Sequence, residues 1–216
     1  MQYPAKGSML LLYFNGFNSG IPEDWSGNHK ISGVEDFALR HGFQFAPCTV
    51  DYRCARERSA EILERVDADL RGDSGRVILS GASLGGWFAR IVQVKLAQRR
   101  PGLATEALAF NPAFDLRLHG QVLLGPQVNA VTQERYEWAA GDSERLGRLE
   151  QSVDYDAPLP FFVYVDKGDE VIDWRVSAVR HAGISRFHAF EGGSHLFEHV
   201  PEALAEFAAA RSMLAD

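Results

Sequence analysis

A serine set between glycines, Gly81-Ala82-Ser83-Leu84-Gly85, follows the apolar run Val77-Ile78-Leu79 and opens a helical pattern. This is the layout of a strand, a sharp turn and a helix, which lifts a hydroxyl above the carboxyl end of the strand. The turn forces a strained backbone, so its neighbours at 81 and 85 must be small, and both are glycine. The first amides of the following helix, Leu84 N–H foremost, would point to where a tetrahedral oxyanion forms. The chemistry this suggests is acyl transfer through a nucleophilic Ser83, which needs a base and an acid. An idle serine in a tight turn has the same local sequence, so the rest of the chain must decide.

His195 is the candidate base. It follows Glu191-Gly192-Gly193-Ser194, a glycine-rich loop expected to be flexible enough to swing the imidazole between Ser83 and a carboxylate. His188, inside a strand pattern, and His199, one helical turn further on, read as structural or surface groups. The acid should lie in Asp166-Lys167-Gly168-Asp169-Glu170-Val171-Ile172-Asp173, after a late apolar strand. Asp169 is preferred because it follows Gly168 at the loop apex, whereas Asp173 reads as the N-cap of the next helix. Asp166 and Glu170 are rivals, and a solvated turn or cap is the ordinary reading of each. A second oxyanion amide is expected from Phe17, in the loop Asn15-Gly16-Phe17-Asn18-Ser19 after the first strand, where Gly16 permits close approach; a polar turn needing glycine for its geometry is the alternative there.

The elements that must position these groups alternate along the chain. Strands are expected over 9–14, 43–50, 76–82, 104–110, 160–165 and 184–190, and helices over 32–40 with Ser32 as N-cap, 55–71, 84–99, 173–181 and 198–215. Residues 72–75 form the turn into the serine strand. Strand–helix alternation predicts an α/β fold with a mostly parallel sheet. The segment 112–159 breaks the rhythm, with a helix-like stretch over 131–140 and no clear strand, and reads as a small helical lid insertion. Phe114, Tyr136 and Trp138 are candidate walls of an apolar acyl pocket, with Trp87 at its border, although plain packing is the ordinary role of each.

The chain of 216 residues suits one globular domain over 1–216, with 46% hydrophobic and 24% charged residues. A net charge of -7 argues against nucleic-acid binding and against attachment to an anionic membrane. Cys48 and Cys54 match neither a zinc nor a redox motif and read as reduced thiols. The run over 9–14 is too short to span a membrane and no cleavage pattern follows it, so the expected location is the cytoplasm. Residues 1–8 read as a loose leader, and the oligomeric state stays open.

The order Ser83, Asp169, His195, each on a loop after a strand, is that of the α/β-hydrolase triad. More narrowly, Leu11-Leu12-Tyr13-Phe14-Asn15-Gly16-Phe17-Asn18-Ser19, Ser80-Gly81-Ala82-Ser83-Leu84-Gly85-Gly86-Trp87, Phe110-Asn111-Pro112-Ala113, Gly168-Asp169-Glu170-Val171-Ile172-Asp173-Trp174 and Glu191-Gly192-Gly193-Ser194-His195 resemble the small YqiA/YcfP-type esterases of the α/β-hydrolase superfamily. The resemblance implies a compact hydrolase core, no cofactor or metal, a small-molecule acyl ester substrate with thioesters left open, and the roles assigned above to Ser83, Asp169 and His195. The chain departs from the family pattern at one place: the first loop usually begins His-Gly-Phe-Asn-Ser, and Asn15 stands where the histidine would be. A backbone amide at Phe17 survives that change, but the side-chain contacts that hold the loop must differ. The competing reading is a catalytically silent α/β-hydrolase that binds a small molecule or a protein.

Overall fold

Six strands, β1 (Met9–Phe14), β2 (Gln44–Cys48), β3 (Arg76–Ala82), β4 (Ala104–Phe110), β7 (Phe161–Asp166) and β8 (Arg186–Phe190), pair in the order β2-β1-β3-β4-β7-β8, all parallel. The structure, a computed structural model, describes residues 9–70 and 75–212; the expected leader 1–8, most of the turn 72–75 and the last residues of the final helix lie outside the described residues. The sheet is covered on both faces, as the apolar runs of its central strands β1 and β7 require. Along β1, Leu10, Leu12 and Phe14 face one core and Leu11 and Tyr13 the other. The first core is closed by helices α2 (Ala55–Asp69) and α3 (Leu84–Arg99), the second by α1 (His29–Arg40) and α7 (Val200–Ser212). Helix α6 (Trp174–His181) joins β7 to β8.

Helix α1 is capped four residues earlier than the sequence suggests. Its cap is Asn28, whose side chain accepts from the Lys30 and Ile31 amides at 3.2 Å, not Ser32, whose hydroxyl donates back to the Asn28 carbonyl at 2.9 Å.

The stretch between β4 and β7 corrects a second expectation. Residues 131–140 are not a helix: β5 (Gly125–Val128) and β6 (Arg135–Trp138) form an antiparallel hairpin. Helical structure flanks it, as α4 (Leu116–His119), a 3-10 turn over Gly120–Leu123, and α5 (Ala140–Gln151). Tyr136 and Trp138 lie two apart on one strand face, an alternation that a helical reading of so short a segment hides. The insertion is fixed to α3 through Glu150, which is buried and accepts from Trp87 Nε1 at 2.9 Å and from the Asp115 and Leu116 amides at 3.1 Å. Burial raises the Glu150 carboxyl above its ordinary range, and the three donors oppose that shift.

Candidate active site

Ser83 sits between β3 and α3 at φ 54° and ψ −124°, a left-handed backbone that costs a non-glycine residue about 1–3 kcal/mol. The turn is held because α3 approaches both β3 and the end of β1 too closely for any side chain between them: a Cβ at Gly81 would lie 2.5 Å from the Gly85 carbonyl carbon, and one at Gly85 would lie 2.2 Å from the Phe14 carbonyl oxygen. Ser83 N–H donates to the Phe110 carbonyl at 3.0 Å, which ties the elbow to β4. In α3 the Gly86 and Trp87 amides bond back to the Ser83 carbonyl, and Leu84 N–H precedes them at the helix mouth.

The structure brings His195 to Ser83, with Nε2 3.2 Å from the serine oxygen. Nδ1 lies 2.9 Å from one Asp169 carboxylate oxygen and 3.0 Å from the other. The carboxylate can only accept, so it fixes the proton on Nδ1 and leaves Nε2 free to accept from the Ser83 hydroxyl. Asp169 has only 2% of its side chain exposed, against 22% for His195. It also accepts from the Val171 and Ile172 amides at 2.8 and 2.9 Å, which hold the carboxylate in place.

The three rival carboxylates are elsewhere. Asp173 caps α6 by accepting from Arg175 N–H at 2.9 Å. Glu170 accepts from His195 N–H at 2.9 Å, and that bond holds its carboxyl below the ordinary range. Asp166 is wholly buried and bonds His199 Nδ1 at 2.7 Å. His188 pairs with Glu206 at 2.7 Å and stacks on Phe190.

The loop that carries His195 is not the free swinging segment its glycines suggest. Every amide from Ser194 to Glu198 is bonded, to Asp166 Oδ2, Glu170, Ser194 Oγ, the Ser194 carbonyl and Asp166 Oδ2 in turn. From the other side, Lys30 Nζ donates to the Leu196 carbonyl and His29 Nε2 to that of Phe197. Gly193 serves close approach instead, since at φ +72° a Cβ on it would fall 2.0 Å from Asp166 Oδ2, whereas Gly192, with open space around it, supplies a left-handed backbone at φ +74°.

Asn15 takes over the first loop. Its Nδ2 donates to the Gly16 and Ser19 carbonyls at 2.9 Å and to that of Val50 at 3.3 Å, and its Oδ1 accepts from Val50 N–H at 2.7 Å. Tyr52 hydroxyl donates to the Asn15 carbonyl at 2.5 Å. Gly16 consequently lies against the elbow, where a Cβ would be 3.6 Å from that of Ser83.

A cavity of about 300 Å³ opens beside Ser83. Phe17 and Leu84, the two candidate oxyanion residues, and Phe114, a candidate pocket wall, line it with Ala113, Leu116, Leu123 and Ile172, and His119 and Asp173 add polar side chains. The other three expected wall residues lie outside it. Trp87 is fully buried under the insertion on Glu150; Trp138 donates to Ser143 Oγ at 2.9 Å and sets its ring edge-on to Phe17 at 5.0 Å; Tyr136 lies under the Arg53 guanidinium and donates its hydroxyl to Asn18. Trp138 and Tyr136 thus support the walls without forming them. The residues that sequence reasoning missed, Leu116, Leu123, Ile172 and Val176, are short aliphatics indistinguishable in sequence from core, although Ile172 adjoins the acidic loop and could have been found there.

Among curated protein sequences no relative matches the chain. Solved structures share its fold at low identity. Est1E from Butyrivibrio proteoclasticus is 15% identical with a TM-score of 0.67, covering 97% of this chain and 90% of that one. Alpha/beta hydrolase domain-containing protein 10 from mouse is 16% identical with a TM-score of 0.63, covering 99% and 92%. The esterase domain of a Rhodothermus marinus protein is 15% identical with a TM-score of 0.59, covering 94% and 84%. Likeness at this identity speaks for the fold, which is the α/β-hydrolase fold. A family model, "Uncharacterised protein family (UPF0227)", matches residues 10–210, and the chain is therefore a member of that family with an α/β-hydrolase fold.

Proposed function

We propose that the chain is a serine hydrolase of carboxylic esters, acting through an acyl-enzyme on Ser83. The observation that carries this reading is the unbroken line from the Ser83 hydroxyl to His195 Nε2 at 3.2 Å and from His195 Nδ1 to a buried Asp169 carboxylate at 2.9 Å, ending in an apolar cavity. Ser83 Oγ attacks the ester carbonyl while His195 takes its proton, and the imidazolium then protonates the departing alkoxide. Water, deprotonated by the same imidazole, releases the acid. Asp169 orients the ring and balances its charge. The Leu84 and Phe17 amides are the proposed oxyanion donors, each worth about 2.7–4 kcal/mol in the transition state. The lining is mainly aliphatic and aromatic, with His119 and Asp173 as its polar side chains besides Ser83, and suits an acyl chain or an aryl acyl group, so the proposed substrate is a small ester, or a thioester of the same acyl type. Est1E has been solved with ferulic acid bound, which recommends feruloyl esters for the panel.

The test is labelling by a fluorophosphonate probe together with turnover on acyl esters, feruloyl esters and acyl-CoA thioesters. Ser83→Ala should abolish labelling and lower kcat by about 10⁶-fold, and Asp169→Asn by about 10⁴-fold. Asp173→Asn, at a helix cap, should cost far less. Labelling that survives Ser83→Ala would remove the nucleophile, and a larger loss at Asp173 would reassign the acid. A folded wild type that neither labels nor turns over any ester would leave a non-catalytic binding module.

A further inference from the structure

Behind the His195 loop lies a second carboxylate–imidazole couple. Asp166, the last residue of β7, is wholly buried, and its two oxygens divide their work. Oδ2 accepts from Ser194 N–H at 3.3 Å and Glu198 N–H at 2.7 Å, so it brackets His195 on both sides. Oδ1 accepts from His199 Nδ1 at 2.7 Å. The His199 ring lies flat on Phe190, with centroids 4.9 Å apart and planes 10° from parallel.

Asn111, at the end of β4 with φ 41°, completes the arrangement. Its Oδ1 accepts from Asp166 N–H at 2.8 Å, and its Nδ2 donates to the Ser194 carbonyl at 2.9 Å and that of His195 at 3.4 Å. The same residue's N–H bonds the Tyr164 carbonyl at 2.8 Å. Two adjacent strand ends thus grip the backbone on either side of the imidazole. A carboxylate fully out of water is retained where hydrogen-bond donors compensate its lost hydration, and here three converge on it.

We infer that Asp166, backed by His199 and Asn111, is a positioning residue that holds the His195 ring between Ser83 and Asp169. This rests on the reading of Ser83, Asp169 and His195 as the reacting set. A displacement of about 1 Å in such a group can cost about 100-fold in rate without altering substrate affinity. Asp166→Ala removes the bracket. Asp166→Asn keeps one oxygen for the two amides and turns its amide nitrogen toward His199, which can accept on Nδ1 in its other tautomer. His199→Asn keeps a donor close to the Nδ1 position, whereas His199→Ala does not.

The experiment measures kcat and KM per fluorophosphonate-titrated site, with hydrogen exchange of the peptide over 191–199 on the same proteins. Asp166→Ala should lose about 10- to 100-fold in kcat with KM within twofold, and exchange in that peptide should quicken. Asp166→Asn should recover to within about fivefold of wild type, and His199→Asn should outperform His199→Ala. Unchanged kcat and exchange in folded Asp166→Ala would overturn the inference. Equal impairment of the Ala and Asn variants at both positions would also overturn it, because only bulk stability would then be at stake. A wild type that neither labels nor turns over any ester defeats the hydrolase reading instead, and the exchange comparison still decides whether Asp166 holds the loop.

Discussion

Asn15 shows how a single side chain can replace a whole set of contacts. Its amide engages carbonyls at Gly16, Ser19 and Val50 and the Val50 amide, all around the loop proposed to carry the Phe17 donor. Asn15→Ala would strand at least two of these buried backbone groups at about 1–3 kcal/mol each. The expected outcome is a loss of about 2–6 kcal/mol in urea-measured stability and at least a tenfold fall in kcat/KM. A stability loss with unchanged kcat/KM would separate Asn15 from the oxyanion geometry. At this scale Ser83, His195 and Asp169 were legible as candidates because each stands within two residues of a glycine in a loop after a strand. Asp166 was legible only as a carboxylate, since its partners Ser194, Glu198 and His199 come from a loop that the chain reaches two elements later.

The insertion is best understood as a brace between two elements. The Tyr136 hydroxyl and the Gln127 side chain both bond the Asn18 side chain, the Ala130 amide bonds the Asn18 carbonyl at 2.8 Å, and Asn129 Nδ2 reaches the Ser19 carbonyl at 3.2 Å. Asn18 itself has φ 52°, a backbone that needs such support. The β5–β6 hairpin therefore pins the loop after β1, while Glu150 pins the insertion to α3. Tyr136→Phe deletes one bond to Asn18 and keeps the ring under Arg53, which lies 4.4 Å from its centroid. The expected result is a three- to tenfold fall in kcat with melting temperature little changed; equal kcat would mean the hairpin does not act on the loop. Sequence reasoning placed the insertion but not its form, because four-residue strands carry too little periodicity to be told from a helical turn.

For the molecule as a whole, pH should act on stability through His181. It is wholly buried, edge-on to Phe114 and Phe161; its Nδ1–H donates to the Ser177 carbonyl at 2.8 Å, and Nε2 finds no partner among the described residues. Burial lowers it to about 4 from an ordinary 6.5. The unfolded chain takes up that proton first as pH falls, so His181 contributes its full stabilisation above about pH 6.5 and loses it progressively down to about pH 4. The total is on the order of 3 kcal/mol. Glu150, raised by burial, works in the opposite sense at the acidic end, so the informative quantity is a difference. His181→Phe should flatten the fall in urea-measured stability between pH 6.5 and 4 relative to wild type. Parallel curves would place the titration elsewhere.

The sequence by itself determined the parallel sheet, since its central strands β1 and β7 are written as nearly unbroken apolar runs and strands alternate with helical patterns along the chain. It also marked the loops proposed to carry the reactive groups, because glycine stands where backbone approaches backbone at the elbow. Only the tertiary structure decided what holds those loops: the bonds from Asn111 and Asp166 to the His195 loop, from Asn15 to Val50, and from the hairpin to Asn18 all join residues far apart in the chain. A polar side chain shows its type in sequence. Its partner is set by three-dimensional proximity, which no local pattern encodes.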